Sequence, residues 1–247
     1  MVEGPTAKAY ALRISDEFKS EVVRDVFARS KRIFIPVKEL IGKAFLGSDS
    51  IGKNIILIFD NLAIRVHLMM FGAIHIYSLD EPLAKPEKRV RLMIKGKVKK
   101  LVVYNAPIVE LDRKESILER LKRDLGPDPL SDGWDRERAI NNLMKFPEEK
   151  IGVILLDQSV IAGIGNILRN EILFRAGIHP ERKVKELSCE EIERIVEIAE
   201  KLMKEFLKLK IERKGIKELL YVYNKYRGFC KKCGGLIKFY MQKPINR

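Results

Sequence analysis

The first residues able to do chemistry stand at the start of the chain, Met1-Val2-Glu3-Gly4-Pro5. Val is small enough for the preceding Met1 to be removed, and Val2 then presents an α-amine. With an ordinary pKa of about 8, that amine is partly neutral and nucleophilic at pH 7. It could attack an electrophilic carbon and form a Schiff base. Glu3, the next residue, could shuttle protons to the reacting group. Gly4 and Pro5 would hold the segment in a fixed turn. Lys53 follows Gly52 at the head of an apolar run, where an arbitrary lysine would be a solvated turn residue. His67-Leu68-Met69-Met70-Phe71-Gly72 sets a histidine beside large apolar side chains. Met and Phe are usually core residues. The other reading is an exposed apolar wedge, with His67 donating to a phosphate. In Gly163-Ile164-Gly165-Asn166 an apolar helix end meets two glycines and a new helix start. Asn166 is expected as an N-cap or phosphate donor, beside free N–H groups that favour an anion. The same glycines would serve a tight helix–helix turn for steric reasons alone. Cys230-x-x-Cys233 has the spacing of half a four-Cys zinc site.

These residues need elements to position them. Tyr10, Ile14, Phe18, Val22 and Val26 recur every four residues and predict a helix over 5–29. Short runs rich in Ile, Val and Phe predict strands at 32–37, 54–59, 63–68, 73–77, 89–94, 99–103 and 108–111. Strands so closely spaced suggest an antiparallel sandwich or barrel. The second half turns helical, at 115–123, 135–145, 166–175 and 189–208. The last helix opens on a capping box of Ser188 and Glu191. A Leu125-Gly126-Pro127-Asp128-Pro129 stretch punctuates the change, with the hinge expected near 112–130.

Composition narrows the partners. Among 247 residues, Lys and Arg number 48 and Asp and Glu 34, a net charge of +14. The excess divides evenly, +7 in residues 1–118 and +7 in 119–247. An even excess suits a basic groove between two folded halves, with nucleic acid the first expected partner. A generally basic surface of many Lys–Glu pairs would give the same arithmetic. No apolar run approaches the roughly 18–20 residues of a membrane span, so no membrane insertion is expected. Apolar residues make up 46% of the chain, enough to fill a core. Three cysteines imply no disulfide framework. With no signal pattern at the N-terminus, a soluble cytoplasmic protein is expected.

Taken together and in order, these motifs resemble the Fpg/Nei family of DNA glycosylases, the formamidopyrimidine-DNA glycosylase and endonuclease VIII group. Residues 155–173 resemble its helix–two-turn–helix signature, and Phe174-Arg175-Ala176-Gly177-Ile178-His179-Pro180 continues it. Met1-Val2-Glu3-Gly4-Pro5 resembles the family start, with Val2 in place of the usual Pro and Thr6 in place of a common Glu. The segments 51–54, 67–72 and 227–234 resemble its Gly-Lys strand motif, its DNA-filling loop and the first half of its zinc finger.

The resemblance implies an α+β fold. An N-terminal antiparallel β-sandwich with a leading helix (1–118) would precede a helix–two-turn–helix domain (119–225) and a truncated zinc-finger-like hairpin (226–247). It implies a bifunctional glycosylase and abasic-site lyase of base excision repair, acting as a monomer on damaged duplex DNA. Val2 would be the nucleophile and Glu3 the proton shuttle. Lys53 would reach the 3′ phosphate of the lesion, with Gly165 and Asn166 on the DNA. Met70 would lead a wedge that fills the gap left by an extruded base, supported by Met69 and Phe71. The short stretch before Cys230 points to the endonuclease VIII type and to oxidised pyrimidines. Where an Arg-Phe-Gly loop is common, this chain has Tyr104-Asn105-Ala106-Pro107. Two thiolates do not close a tetrahedral site, so zinc at Cys230 and Cys233 is not counted on, and the chemistry needs no cofactor. The competing expectation is a catalytically weakened protein of the same fold that only recognises damaged DNA, as a retained Met1 would favour.

Overall fold

The computed structural model describes residues 2–29 and 36–244. The chain forms two compact units, one from Val2 and Thr6–Arg123, the other from Glu3–Pro5 and residues 124–244. The division falls at the end of a helix, Lys114–Asp124 (α2).

Helix α1 spans Gly4–Glu17 and is shorter than the expected 5–29. A turn with Ser20 at φ 65° ends it. Val22 then bridges to Ala44, and Val26 lies in strand β1 (Asp25–Ala28). Residues four apart share a face in a strand as well as in a helix, so the apolar spacing fitted both. Most of the strand expected at 32–37 lies outside the described residues, and a short 3-10 turn begins at Val37.

Seven more strands follow, β2 (Gly47–Ile51), β3 (Asn54–Phe59), β4 (Leu62–His67), β5 (Ala73–Ser78), β6 (Val90–Lys95), β7 (Lys99–Tyr104) and β8 (Ile108–Arg113). They form two antiparallel four-stranded sheets, ordered β1-β6-β7-β5 and β2-β3-β4-β8. One core joins both sheets to α1, with Ala11, Ile14 and Phe18 packed among Leu57, Ile64, Leu92 and Val103. On β6, Val90, Leu92 and Ile94 are buried while the residues between them are half exposed, the alternation a one-sided strand requires. Each buried Leu or Ile contributes roughly 1.5–3 kcal/mol against exposure. The hairpin β2–β3 turns at Gly52-Lys53, and Asn54 pairs with His67 across β3–β4.

The second unit holds α3 (Arg136–Met144), α4 (Ile151–Ile154), α5 (Asn166–Ala176) and α6 (Cys189–Ile211). The capping box of Ser188 and Glu191 is present at the start of α6. Leu168 and Ile172 of α5 pack with Ile195, Ala199 and Met203 of α6. After α6 the chain makes a small hairpin in which Phe229 pairs with Leu236. Buried carboxylates fasten two loops by their backbone. Glu21 accepts from the N–H groups of Lys97, Val98 and Lys99. Glu171 accepts from Tyr221, Val222 and Tyr223 at 2.8, 2.9 and 2.8 Å. No helix among the described residues is long and apolar enough to cross a membrane.

Candidate active site

In the second unit the site is built around Glu3. Its carboxylate is fully buried and accepts from Ile167 N–H at 2.7 Å and Leu168 N–H at 3.1 Å. The start of α5 therefore holds a side chain of the protein. The dipole at a helix start stabilises such a charge. This corrects the expectation of N–H groups left open to an anion, since two of them belong to Glu3. Asn166 is the first residue of α5, and the cap position is Gly165. Its Oδ1 is buried and has no hydrogen-bond partner.

Both glycines have steric explanations. Gly163 sits at φ 94°, and its carbonyl accepts from Gly4 N–H at 2.9 Å. A Cβ on Gly165 would lie 2.5 Å from Glu3 Cδ, so only glycine admits the carboxylate there.

In the first unit the site is built around Val2. Its nitrogen donates to the Met69 carbonyl at 3.1 Å, and its side chain is buried. The Met69 N–H in turn donates to His67 Nδ1 at 3.2 Å. A neutral His67 accepting at Nδ1 carries its proton on Nε2. Burial, then the nearby charges of Lys53 and Arg65, push the pKa of His67 down to about 4. The ring is thus neutral at pH 7.

Met69, Met70 and Phe71 are 45%, 52% and 76% exposed. The usual core placement of such side chains does not apply here. Leu68, one position earlier, is fully buried and anchors the loop.

Glu171 and Tyr223 escaped the sequence reading. Burial, then the charge of Glu3, raises the pKa of the Tyr223 hydroxyl, which therefore stays protonated. A signal for Glu171 existed: it is a lone carboxylate among Leu168, Ile172 and Leu173, and buried carboxylates need partners. Tyr223 left no signal, because a loop fastened by a distant side chain has no periodicity.

The cysteines do not complete a metal site. Cys230 is buried and Cys233 exposed. Hydrogen bonds from the Lys232 and Cys233 backbone lower the pKa of Cys230. No group of three or more His, Cys, Asp or Glu that could hold a metal occurs among the described residues. Two thiolates do not fit a four-ligand zinc site. His179 accepts from Glu181 N–H and stacks with Tyr240.

Two compact sheets, a helical unit and a buried Glu3 on a helix start define a recognisable class. Residues 125–218 match the formamidopyrimidine-DNA glycosylase H2TH domain. A probable endonuclease 8 of Streptomyces coelicolor is 28% identical over 242 residues, covering 96% of this chain and 87% of that protein. Formamidopyrimidine-DNA glycosylase of Bacillus cereus is 32% identical over 200 residues, covering 76% and 72%. The Lactococcus lactis formamidopyrimidine-DNA glycosylase bound to DNA containing an abasic site superposes with a TM-score of 0.88. It is 26% identical and is covered over 95% of its length, with 99% of this chain. The chain belongs to the Fpg/Nei family and is a DNA glycosylase of base excision repair.

Proposed function

We propose that this chain removes oxidised bases, pyrimidines foremost, from damaged duplex DNA, and that it cuts the strand as an abasic-site lyase, working as a monomer. The observation that carries this reading is the pair Val2-Glu3. The nitrogen of Val2 is oriented by a backbone carbonyl, and the next carboxylate is buried on a helix start.

With Met1 removed, the Val2 amine attacks C1′. The N–C1′ bond forms, and the base leaves with the electron pair of its glycosidic bond and takes up a proton. Glu3 protonates the ring oxygen as the C1′–O4′ bond breaks and the amine loses its protons to yield the imine. Loss of a C2′ proton then expels the 3′ phosphate, and water hydrolyses the imine to free the amine. Lys53 and Asn166 serve the phosphates, and Met70 leads Met69 and Phe71 into the vacated stack.

Borohydride trapping on a duplex with one abasic site tests the reading, with the adduct located by peptide mass spectrometry. An adduct at Val2 is expected. An adduct at Lys53 would keep the lyase and overturn the nucleophile. Absence of any adduct, with DNA binding intact, would favour a protein that only recognises damage.

A further inference from the structure

Met69 touches both Val2 and His67. Its carbonyl receives the Val2 N–H, and its own N–H is held by His67 Nδ1. The residue stands at φ 48°, a left-handed conformation that costs a side-chain-bearing residue roughly 1–2 kcal/mol. The bonds on both of its polar groups help to offset that cost. A bond from Gly72 N–H to the Leu68 carbonyl, 2.9 Å, closes the loop behind it.

Resting on the reading of Val2 as nucleophile, we propose that His67 is a positioning residue for the attacking amine: it fixes Met69, and the Met69 carbonyl aims the Val2 nitrogen. The carbonyl in question belongs to the peptide that leads into Met70. Entry of Met70 into the DNA stack therefore moves the group that aims the amine, and gap filling and attack share one hinge. A histidine that served only as a phosphate contact would need its outer Nε2–H and not its Nδ1.

Two substitutions separate those roles. In His67→Asn the amide oxygen can stand where Nδ1 stood and accept from Met69, but the outer donor is lost. In His67→Gln an amide donor can reach the Nε2 position, but the acceptor for Met69 is lost. The assay is single-turnover borohydride trapping on abasic duplex at saturating enzyme, beside equilibrium binding to a duplex with a tetrahydrofuran abasic analogue. H67Q is expected to bind within about threefold of the parent while its saturated trapping rate falls about 10- to 100-fold, the cost of a nucleophile misplaced by about 1 Å. H67N is expected to recover most of that rate and to lose affinity instead, about 10- to 100-fold for one hydrogen bond to a charged group. The reversed pattern, or equal loss of rate in both, would overturn the proposal. Should H67Q fail to fold, His67→Ala also removes the acceptor and replaces it in the comparison. A parent that traps normally at Val2 keeps the two questions apart. A parent that fails to do so overturns the nucleophile itself.

Discussion

The turn at 163–168 and the loop at 68–72 use similar backbone for opposite ends. Each contains a residue in the left-handed region, Gly163 at φ 94° and Met69 at φ 48°. Each offers its carbonyl to the N-terminal segment, Gly163 to Gly4 and Met69 to Val2. Their side chains differ. At 163–168 the glycines are buried, and Gly165 exists to let Glu3 in. At 68–72 three large apolar side chains stand in solvent. A turn that must only hold something uses glycine and avoids strain. A loop that carries a side chain proposed as a wedge keeps the side chain and bears the strain, as functional sites often do.

The sharpest break of this comparison is Glu3→Gln. Loss of the proton shuttle is expected to lower single-turnover base removal about 10²- to 10⁴-fold, with affinity for a lesion duplex within about threefold of the parent. Base removal at parental speed would reject Glu3 as the shuttle. Next is Gly165→Ala, whose added Cβ must displace the Glu3 carboxylate. About a 10²-fold loss of rate is expected, with about 1–3 kcal/mol of stability lost to overpacking. Trp134, the only tryptophan, donates its indole N–H to Glu200 at 2.8 Å, so its emission follows unfolding of the second unit.

Met70→Ala should behave in the contrary way. Its stability is expected within about 0.5 kcal/mol of the parent, as for exposed substitutions. Its rate on a paired lesion should fall about tenfold, part of the few kcal/mol that unstacking costs. A melting point lowered as much as in G165A would show that the loop is core after all. A further prediction concerns pH. His67 titrates near 4 in the folded chain and near 6.5 unfolded. Between those values the unfolded state binds more protons, so this contribution is complete above about pH 6.5 and is lost as pH falls toward 4. Melting temperatures across that window should fall less steeply in H67N than in the parent.

Legibility followed locality. The Ile- and Val-rich strands from β3 onward and the Ser188–Glu191 cap depend on neighbours in sequence, and their patterns were plain. Strand β2, Gly47-Ser48-Asp49-Ser50-Ile51, was missed because it is polar. Its Ser48 hydroxyl serves the carbonyl of Ala11 on α1 rather than an apolar core. At the candidate site, the motif residues could be named from the sequence, but their bonds could not. The carboxylate of Glu3 meets N–H groups more than 160 residues later, and no periodicity encodes such a pairing. The glycines carried the trace of it, since two glycines at a helix start announce that something comes close. That the visitor is Glu3, rather than a phosphate, required coordinates.

The exposed thioethers of Met69 and Met70 have a chemical consequence. Oxidants that damage DNA bases also convert accessible methionine to its sulfoxide. Met69 and Met70 stand about half exposed, while Leu68 and Phe71 on either side carry no sulfur. Oxidation would place a polar, chiral group on the loop proposed to enter a stack of bases. The enzyme's working capacity under oxidative stress would then depend on sulfoxide reduction at these two positions, and so on a repair system for the protein as well as for the DNA.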